Sequence, residues 1–347
     1  SYIGKENFVF GTQIEKIDLY EYLKEYTIDS LYKDRLKISQ CHKDDDFIWF
    51  GWNEQKNPVK LKRFIEVNSP EFESLCRLLG AYIAEGSSST PETTQTRNGA
   101  SIASSNIEWL KELRHDYQTL FVNATASIIQ SNIGTRTLTY SNSSTTKTIQ
   151  YNDMTHKLQM MNVMAAVFFK MLCGQKSSGK KLPQFIFNDS NKYKWLLLNK
   201  IIEGDGSKKY GERYSQEYKT KNFSIETKSL NLISALSTLL SQLEIGYSIK
   251  RREEKQTYSL RTSSMYNSRV ETNIQQEAYK GFVYDLSVEK NHNFVDSCGN
   301  ILLHNTDSAF IEIPKNKTKK DVEEFVKKIN KELPEAMELE LENFYKR

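Results

Sequence analysis

The chain has 347 residues, 38% apolar and 27% charged, which suits two or three folded domains rather than a disordered chain. No apolar run nears the ~20 residues that span a bilayer, and SYIGKENFVF lacks the basic and apolar regions of a secretory signal. The balance of 48 Lys+Arg against 44 Asp+Glu leaves a net charge of +4, so any nucleic-acid surface must come from local clustering of cations. The four cysteines, Cys41, Cys76, Cys173 and Cys298, form no CxxC pair. This argues against a structural zinc site or a disulfide framework and for a reducing cytoplasm. A monomer with no membrane partner is expected.

Residues 1–66 read as β-rich. FVFGTQIEKI and FIWFGW are short aromatic and β-branched runs, with a short helix at LYEYLKEY between them. In NSPEFESLCRLLGAYIAEGSSS, Ser69 is a candidate N-cap, Pro70 fits the first helical position, and Glu71 and Glu73 suit the first turn. The helix is nearly all apolar from 75 to 84 and is expected to be buried. A second such helix, NDSNKYKWLLLNKIIEGDGS, has Ser190 as its candidate cap. Gly206 at its end lies 120 residues after Gly86 at the end of the first, and SIETKSLNLISAL (from Ser224) lies 123 residues after SIASSNIEWLKEL (from Ser101). The near-constant offset predicts an internal duplication, a pseudo-two-fold α+β domain. SSSTPETTQTRNG and SNSSTTKT read as loops or hairpin tips. From about Gln275 the pattern returns to β, with two runs flanking a turn at Cys298-Gly299-Asn300, and DVEEFVKKINKEL then predicts a charged amphipathic helix.

These residues carry three resemblances. VYDLSVEKNHNF, ILLHN and Thr306 resemble the C-terminal splicing blocks of inteins. The chemistry needs these residue types. The Asn305 side-chain amide can attack its own backbone carbonyl, His304 can move the proton, and the Thr306 hydroxyl can accept an acyl group. Asp285 and His292 match the family's Asp and His that assist proton transfer. Ser1-Tyr2-Ile3-Gly4 fits the N-terminal pattern, with Ser1 as the nucleophile of an N-to-O acyl shift. With Ser1 as the first residue, Asn305 cyclisation is expected without complete splicing. The family's Thr-x-x-His is not found, and the nearest run is Ser39-Gln40-Cys41-His42.

LLGAYIAEG (78–86) and LNKIIEGDG (198–206) resemble the two motifs of LAGLIDADG homing endonucleases. The resemblance implies two helices packed at small residues, with Glu85 and Asp205 at their ends as the catalytic, Mg²⁺-binding acids, and Glu203 structural. Asn199-Lys200 stand where the family has small residues, which sets a lysine at a close helix contact. Double-stranded DNA is the implied partner. Its candidate contacts are Arg97, Arg136, Lys147, Lys208, Lys209, Arg213, Lys219, Lys221, Lys250, Arg251, Arg252 and Arg261. Lys180-Lys181-Leu182-Pro183 resembles the family's linker, structural or phosphate-contacting.

The tail, Thr306-Asp307-Ser308 with AFIEIP and FYKR, resembles the palm of archaeal-type family B DNA polymerases, where Asp307 would hold Mg²⁺. The resemblances together imply a mixed architecture. Residues 1–66 and 274–305 form an all-β, horseshoe-like Hint splicing domain, which needs no cofactor. It is interrupted by a pseudo-two-fold α+β LAGLIDADG endonuclease at 67–273 and succeeded by a host-polymerase segment at 306–347. The implied function is self-excision from a polymerase, joined in cis, plus site-specific DNA cleavage. The alternatives are an intein whose endonuclease only binds DNA, and a polymerase fragment.

Overall fold

Ser69 and Pro70 start the first long helix through the expected chemistry. The Phe72 amide donates to Ser69 Oγ at 3.1 Å, and Pro70, which has no amide proton to leave unpaired, takes the first turn. Ser190 also precedes its helix, but its side chain makes no capping bond there. The computed structural model describes residues 14–32, 35–50, 57–90, 98–131, 134–141, 146–206, 223–263, 293–295, 302–304, 317–332 and 341. The chain divides into two compact units, residues 1–278 with 295–301, and residues 279–294 with 302–347.

The first unit opens with β1 (Lys16–Asp18), the short helix α1 (Tyr20–Leu23), β2 (Ile28–Tyr32), β3 (Arg35–Ser39), β4 (Cys41–Lys43), β5 (Phe47–Phe50), β6 (Lys60–Lys62) and β7 (Phe64–Glu66). This stretch is β-rich, as its aromatic and branched runs predict. It pairs antiparallel as β1 with β7 and β2 with β3. Then come α2 (Pro70–Glu85), β8 (Gly86–Ser89), β9 (Gly99–Ser104), α3 (Ile107–Leu120), β10 (Phe121–Val122), β11 (Ser127–Gln130), β12 (Gly134–Ser141), β13 (Thr146–Asp153), β14 (His156–Met160) and α4 (Val163–Cys173). β10 joins β6, so the opening β stretch and the helical region share a sheet of order β10-β6-β5-β4. A 3-10 turn at Gln184–Asn188 leads to α5 (Asn191–Asp205), β15 (Ser224–Thr227), α6 (Leu230–Gln242), β16 (Gly246–Arg252) and β17 (Thr257–Ser263).

The duplication is visible in the sheets. The first repeat has strand order β11-β14-β9-β8 and the second β16-β17-β15. In each, the strand that leads into the second helix of the repeat, β9 or β15, pairs with the last strand, β14 or β17. That strand pairs in turn with the middle one, β11 or β16, all antiparallel. The caps repeat too. Asn106 Oδ1 accepts from the Trp109 amide at 3.2 Å, and Ser229 Oγ, 123 positions on, accepts from the Leu232 amide at 3.1 Å.

Each sheet packs one face inward. Ile102, Leu158, Ala100 and Met160 are buried in the first, as are Ile225 and Leu260 in the second. The largest buried rings, among them Tyr82, Tyr117, Tyr193, Phe72, Phe168 and Phe169, fill the space around α2. Burial of each such ring contributes on the order of 2–3 kcal/mol of transfer free energy. Arg77 interrupts the apolar face of α2. Its guanidinium is held by fully buried Asp116 of α3 through Nε at 3.0 Å and Nη2 at 2.6 Å, a two-pronged pair that satisfies both charges.

Two further strands, β18 (Asn293–Val295) and β19 (Leu302–His304), the two runs expected to flank a turn, form a two-stranded sheet, and the charged helix α7 (Lys319–Glu332) belongs to the second unit.

Candidate active site

The site begins with the crossing of α2 and α5. A Cβ added to Gly80 would lie 2.3 Å from the Leu197 carbonyl oxygen and 2.9 Å from Lys200 Cβ. A Cβ added to Gly204 would lie 2.6 Å from Ala84 Cβ and 3.1 Å from Glu85 Cγ. Only glycine lets the backbones approach this closely. Gly80 with Lys200 and Ala84 with Gly204 are pairs 120 positions apart, so each residue touches its own repeat equivalent. A contact of equivalent residues is what a two-fold axis through an interface requires. It also makes the helices run side by side in the same direction, with both C-termini at one end. The next equivalent pair along is Glu85 and Asp205.

Lys200 reaches this crossing without disturbing it. Its Cβ lies against Gly80, and its ammonium leaves the contact to meet Glu112 at 2.6 Å and Glu203 at 2.8 Å. Glu203 also accepts from Trp109 Nε1 at 2.7 Å, tying α5 to α3 of the other repeat. The second motif's departure from small residues is therefore compatible with close packing, because the long stem carries the charge out to carboxylates.

Glu85 and Asp205 are solvent-exposed at the two helix ends. Flanking protein still desolvates both carboxyls. This raises Glu85 above its ordinary value, and raises Asp205 to about 7 with the Glu85 charge adding to the effect. Two helix C-termini point the same way there, and their carbonyl ends disfavour negative charge further. Lys180 opposes this. It is buried, and its ammonium donates to the carbonyls of Tyr82 and Gly86, the latter at 2.7 Å, while lying 3.7 Å from the centre of the Tyr82 ring. Burial brings it down to about 8, while Cys173, Asp205 and Glu85 pull it back up. Lys180 thus caps the end of α2 and supplies the local positive charge for both acids. The linker resemblance locates this lysine, but its partners lie 94 and 98 positions away in sequence.

The pair suits a hard divalent cation. Two accessible carboxylates lie close enough to repel, and a cation would relieve that repulsion. Mg²⁺ characteristically takes one or two carboxylates and completes its shell with water and phosphate oxygens. Among the described residues no cluster of three or more His, Cys, Asp or Glu forms an enclosed metal cage.

Both sheets present polar outer faces. On the second, cross-strand rows run Ser224–Arg261–Ser248, Glu226–Ser259–Lys250 and Thr257–Arg252. A groove lined by Asp205, Ser224, Glu226, Arg252, Ser259 and Arg261 continues to Lys250 and Ser248. Arg252 is paired there with Glu226 at 3.5 Å. Arg251 falls on the opposite strand parity and pairs with Glu253 at 3.2 Å. The first sheet's outer row is Ser87–Ser101–Gln159–Ser127, with Ser87 and Ser101 hydroxyls 3.0 Å apart, and Lys157 comes one row on. Sequence reading missed these uncharged groups, although the alternation of HKLQM signals Lys157 and Gln159.

Of the other expected site residues, Arg136 lies in β12 opposite Tyr151 and Lys147 in β13 opposite Tyr140. His304 ends β19. His42, the nearest match to the family's missing histidine, lies in β4 with its ring stacked 5.8 Å from that of Trp49. Ser1, Arg97, Lys208, Lys209, Arg213, Lys219, Lys221, Asp285, His292, Asn305, Thr306 and Asp307 lie outside the described residues.

Residues 193–275 match the family model of a LAGLIDADG-like domain. Parts of the chain are similar to proteins named DNA polymerase. That of Thermococcus hydrothermalis is 40% identical over 119 residues, 33% of this chain and 6% of the relative. That of Thermococcus litoralis is 34% identical over 114 residues, 30% of this chain and 7% of the relative. That of Pyrococcus horikoshii is 26% identical over 229 residues, 49% of this chain and 17% of the relative. The matches thus span less than a fifth of each of these relatives. Among solved structures, I-DmoI in complex with DNA and Mn aligns at 12% identity with a TM-score of 0.34, covering 56% of this chain and 90% of that one. The homing endonuclease I-WcaI bound to its DNA recognition sequence aligns at 11% with a TM-score of 0.33, covering 55% and 75%.

Proposed function

We propose that this chain, which carries a LAGLIDADG-like domain and stretches related to DNA polymerases, is an intein with an embedded homing endonuclease that interrupts a family B DNA polymerase. The endonuclease, residues 67–273, cuts both strands of the uninterrupted polymerase gene. The observation that carries this reading is the contact of α2 with α5 at residues 120 apart, which makes Glu85 and Asp205 neighbours at one helix end. Because the two-fold is internal, one chain supplies both acids, and a monomer suffices. The outer sheet faces, with Arg252 and Arg261 beside Asp205 and Lys250 further along the groove, suit phosphates and base edges.

Glu85 and Asp205 would hold Mg²⁺ in their ionised forms. When bound, the cation stabilises negative charge on the phosphate and the leaving oxygen. Lys180 fixes the carbonyl end of α2 and so aims Glu85, and its charge favours ionisation of both acids. Residues 1–66 and 274–305 are read as the Hint domain. There Ser1 would carry out the first acyl shift and Thr306 would take the acyl group. Asn305 would cyclise to a succinimide with His304 moving the proton and Asp285 and His292 assisting. Cytoplasmic location accords with this chemistry.

The test is incubation of the purified chain and Mg²⁺ with linear duplex DNA that spans the polymerase gene without the insert. Two discrete fragments are expected. An intact duplex under conditions where binding is saturated would favour an endonuclease that binds without cutting.

A further inference from the structure

The polar cluster around Lys200 stands on one side of the pseudo-two-fold only. Lys200, 7% exposed, donates to Glu112 Oε2 at 2.6 Å and to Glu203 Oε2 at 2.8 Å, and the same Glu203 oxygen accepts from Trp109 Nε1 at 2.7 Å. The Lys200 ammonium also lies 5.8 Å from the centre of the Trp109 ring. Two members belong to α5 and two to α3, so the second motif helix is tied to a helix of the first repeat. At the offsets of 120 for the motif helices and 123 for the helices behind them, the equivalents of Lys200, Glu203, Trp109 and Glu112 are Gly80, Ile83, Leu232 and Ala235. None of these side chains carries a charge or a hydrogen-bonding group, so the cluster has no copy across the axis.

The two helix ends are therefore held by different devices. At the end of α2, Lys180 donates to the backbone carbonyls of Tyr82 and Gly86. At the end of α5, side chains make the tie. Glu203 stands two residues before Asp205 in the last helical turn, and its anchor, Trp109, is only 8% exposed. With its side chains a helix is ~10–12 Å across, so a carboxylate sits ~5–6 Å from the axis, and turning the last turn by about 10° moves it by about 1 Å. A displacement of that size at a reacting centre costs up to about 100-fold in rate.

We propose that Lys200, Glu112 and Glu203 are positioning residues for the Asp205 half of the site alone. The inference rests on the nuclease reading above and goes beyond it. Two acids related by a two-fold face the two strands of a duplex, which are themselves related by a two-fold, so each acid lies nearer one scissile phosphate. Without the Lys200 charge, Glu112 and Glu203 repel each other, Glu203 is drawn off Trp109, and the last turn of α5 loses its restraint against rotation. The end of α2 keeps its Lys180 cap. The strand served by Asp205 slows, and the strand served by Glu85 does not.

The test is single-turnover cleavage of the uninterrupted polymerase-gene duplex at saturating protein and Mg²⁺. A different fluorophore on each 5′ end reads the two strands separately. The parent chain is compared with Lys200→Met, Glu112→Gln and Lys200→Arg, at a temperature where circular dichroism shows all four folded. Lys200→Met should slow one strand about tenfold and leave the other within about twofold, with duplex affinity unchanged. Glu112→Gln should slow the same strand by less. Lys200→Arg keeps a charge between the two carboxylates and should retain most of the parent rate. Both strands slowed alike, or neither slowed while only the melting temperature falls, would overturn the positioning role. A parent chain that nicks neither strand would overturn the nuclease reading and this inference with it.

Discussion

Gly80 and Lys200, 120 positions apart in sequence, meet at the helix crossing, where a Cβ on Gly80 would come within 2.9 Å of Lys200 Cβ and 2.3 Å of the Leu197 carbonyl oxygen. The second distance is to backbone, which has no rotamer through which to yield. Gly80→Val should therefore force the helices apart and cost about 2 kcal/mol or more, lowering Tm by roughly 4–8 °C. Thermal unfolding followed by circular dichroism measures this. An unchanged Tm would mean the helices are not in backbone contact.

The raised carboxyl of Asp205 sets a pH dependence with a definite sign. Between the ordinary aspartate value and about 7, the folded chain binds a proton that the unfolded chain has released. The associated stability is complete below that window and is lost as pH rises through 7. Buried Asp189, also raised to about 7 by desolvation, acts in the same direction, and neither of its carboxyl oxygens has a hydrogen-bond partner. Without divalent metal, Tm should fall from pH 5 to pH 8. Asp205→Asn and Asp189→Asn should each flatten part of that fall, whereas a profile indifferent to both would contradict the assignment. Mg²⁺ competes with the Asp205 proton, so apparent Mg²⁺ affinity should rise through pH 7.

Lys180→Met removes the donor to two carbonyls at the end of α2 and a positive charge that acts on both acids. Stability should drop by about 1–3 kcal/mol, since the carbonyls are left without that partner. Glu85 and Asp205 should titrate at higher pH, moving the pH profile of cutting upward. A loss of stability with an unmoved profile would limit Lys180 to a structural cap.

In a polypeptide spanning residues 1–347, Asn305 should cyclise slowly during warm incubation, releasing residues 306–347. Intact-mass measurement should show both products. Asn305→Ala should stop the reaction and His304→Ala should slow it, whereas fragments that persist in Asn305→Ala would mean proteolysis.

The motif helices are legible in the sequence because their signals are local: a capping serine, an N-terminal proline, an apolar run and a terminal Gly. The duplication is legible because a constant offset needs no structure. Other features depend on contacts far apart in the chain. The capping role of Lys180 depends on carbonyls more than 90 positions away. Lys200 looks misplaced in the sequence, which shows the lysine at the contact but not the carboxylates of Glu112 and Glu203 that receive its charge. Lys250, Arg251 and Arg252 read as one basic run, yet strand alternation puts Lys250 and Arg252 on one parity and Arg251 on the other, where it borders the same groove and pairs with Glu253.

The central claim is that Glu85 and Asp205 act together on DNA at the end of the paired helices. The most direct measurement compares Glu85→Gln and Asp205→Asn with the parent chain for both cutting and binding of the uninterrupted polymerase-gene duplex with Mg²⁺. Each substitution preserves side-chain shape and removes one charge. Each should abolish cutting on its own and leave binding within a few-fold, because affinity rests mainly on phosphate contacts over the sheets. Cutting that survives both substitutions in one chain would contradict the claim.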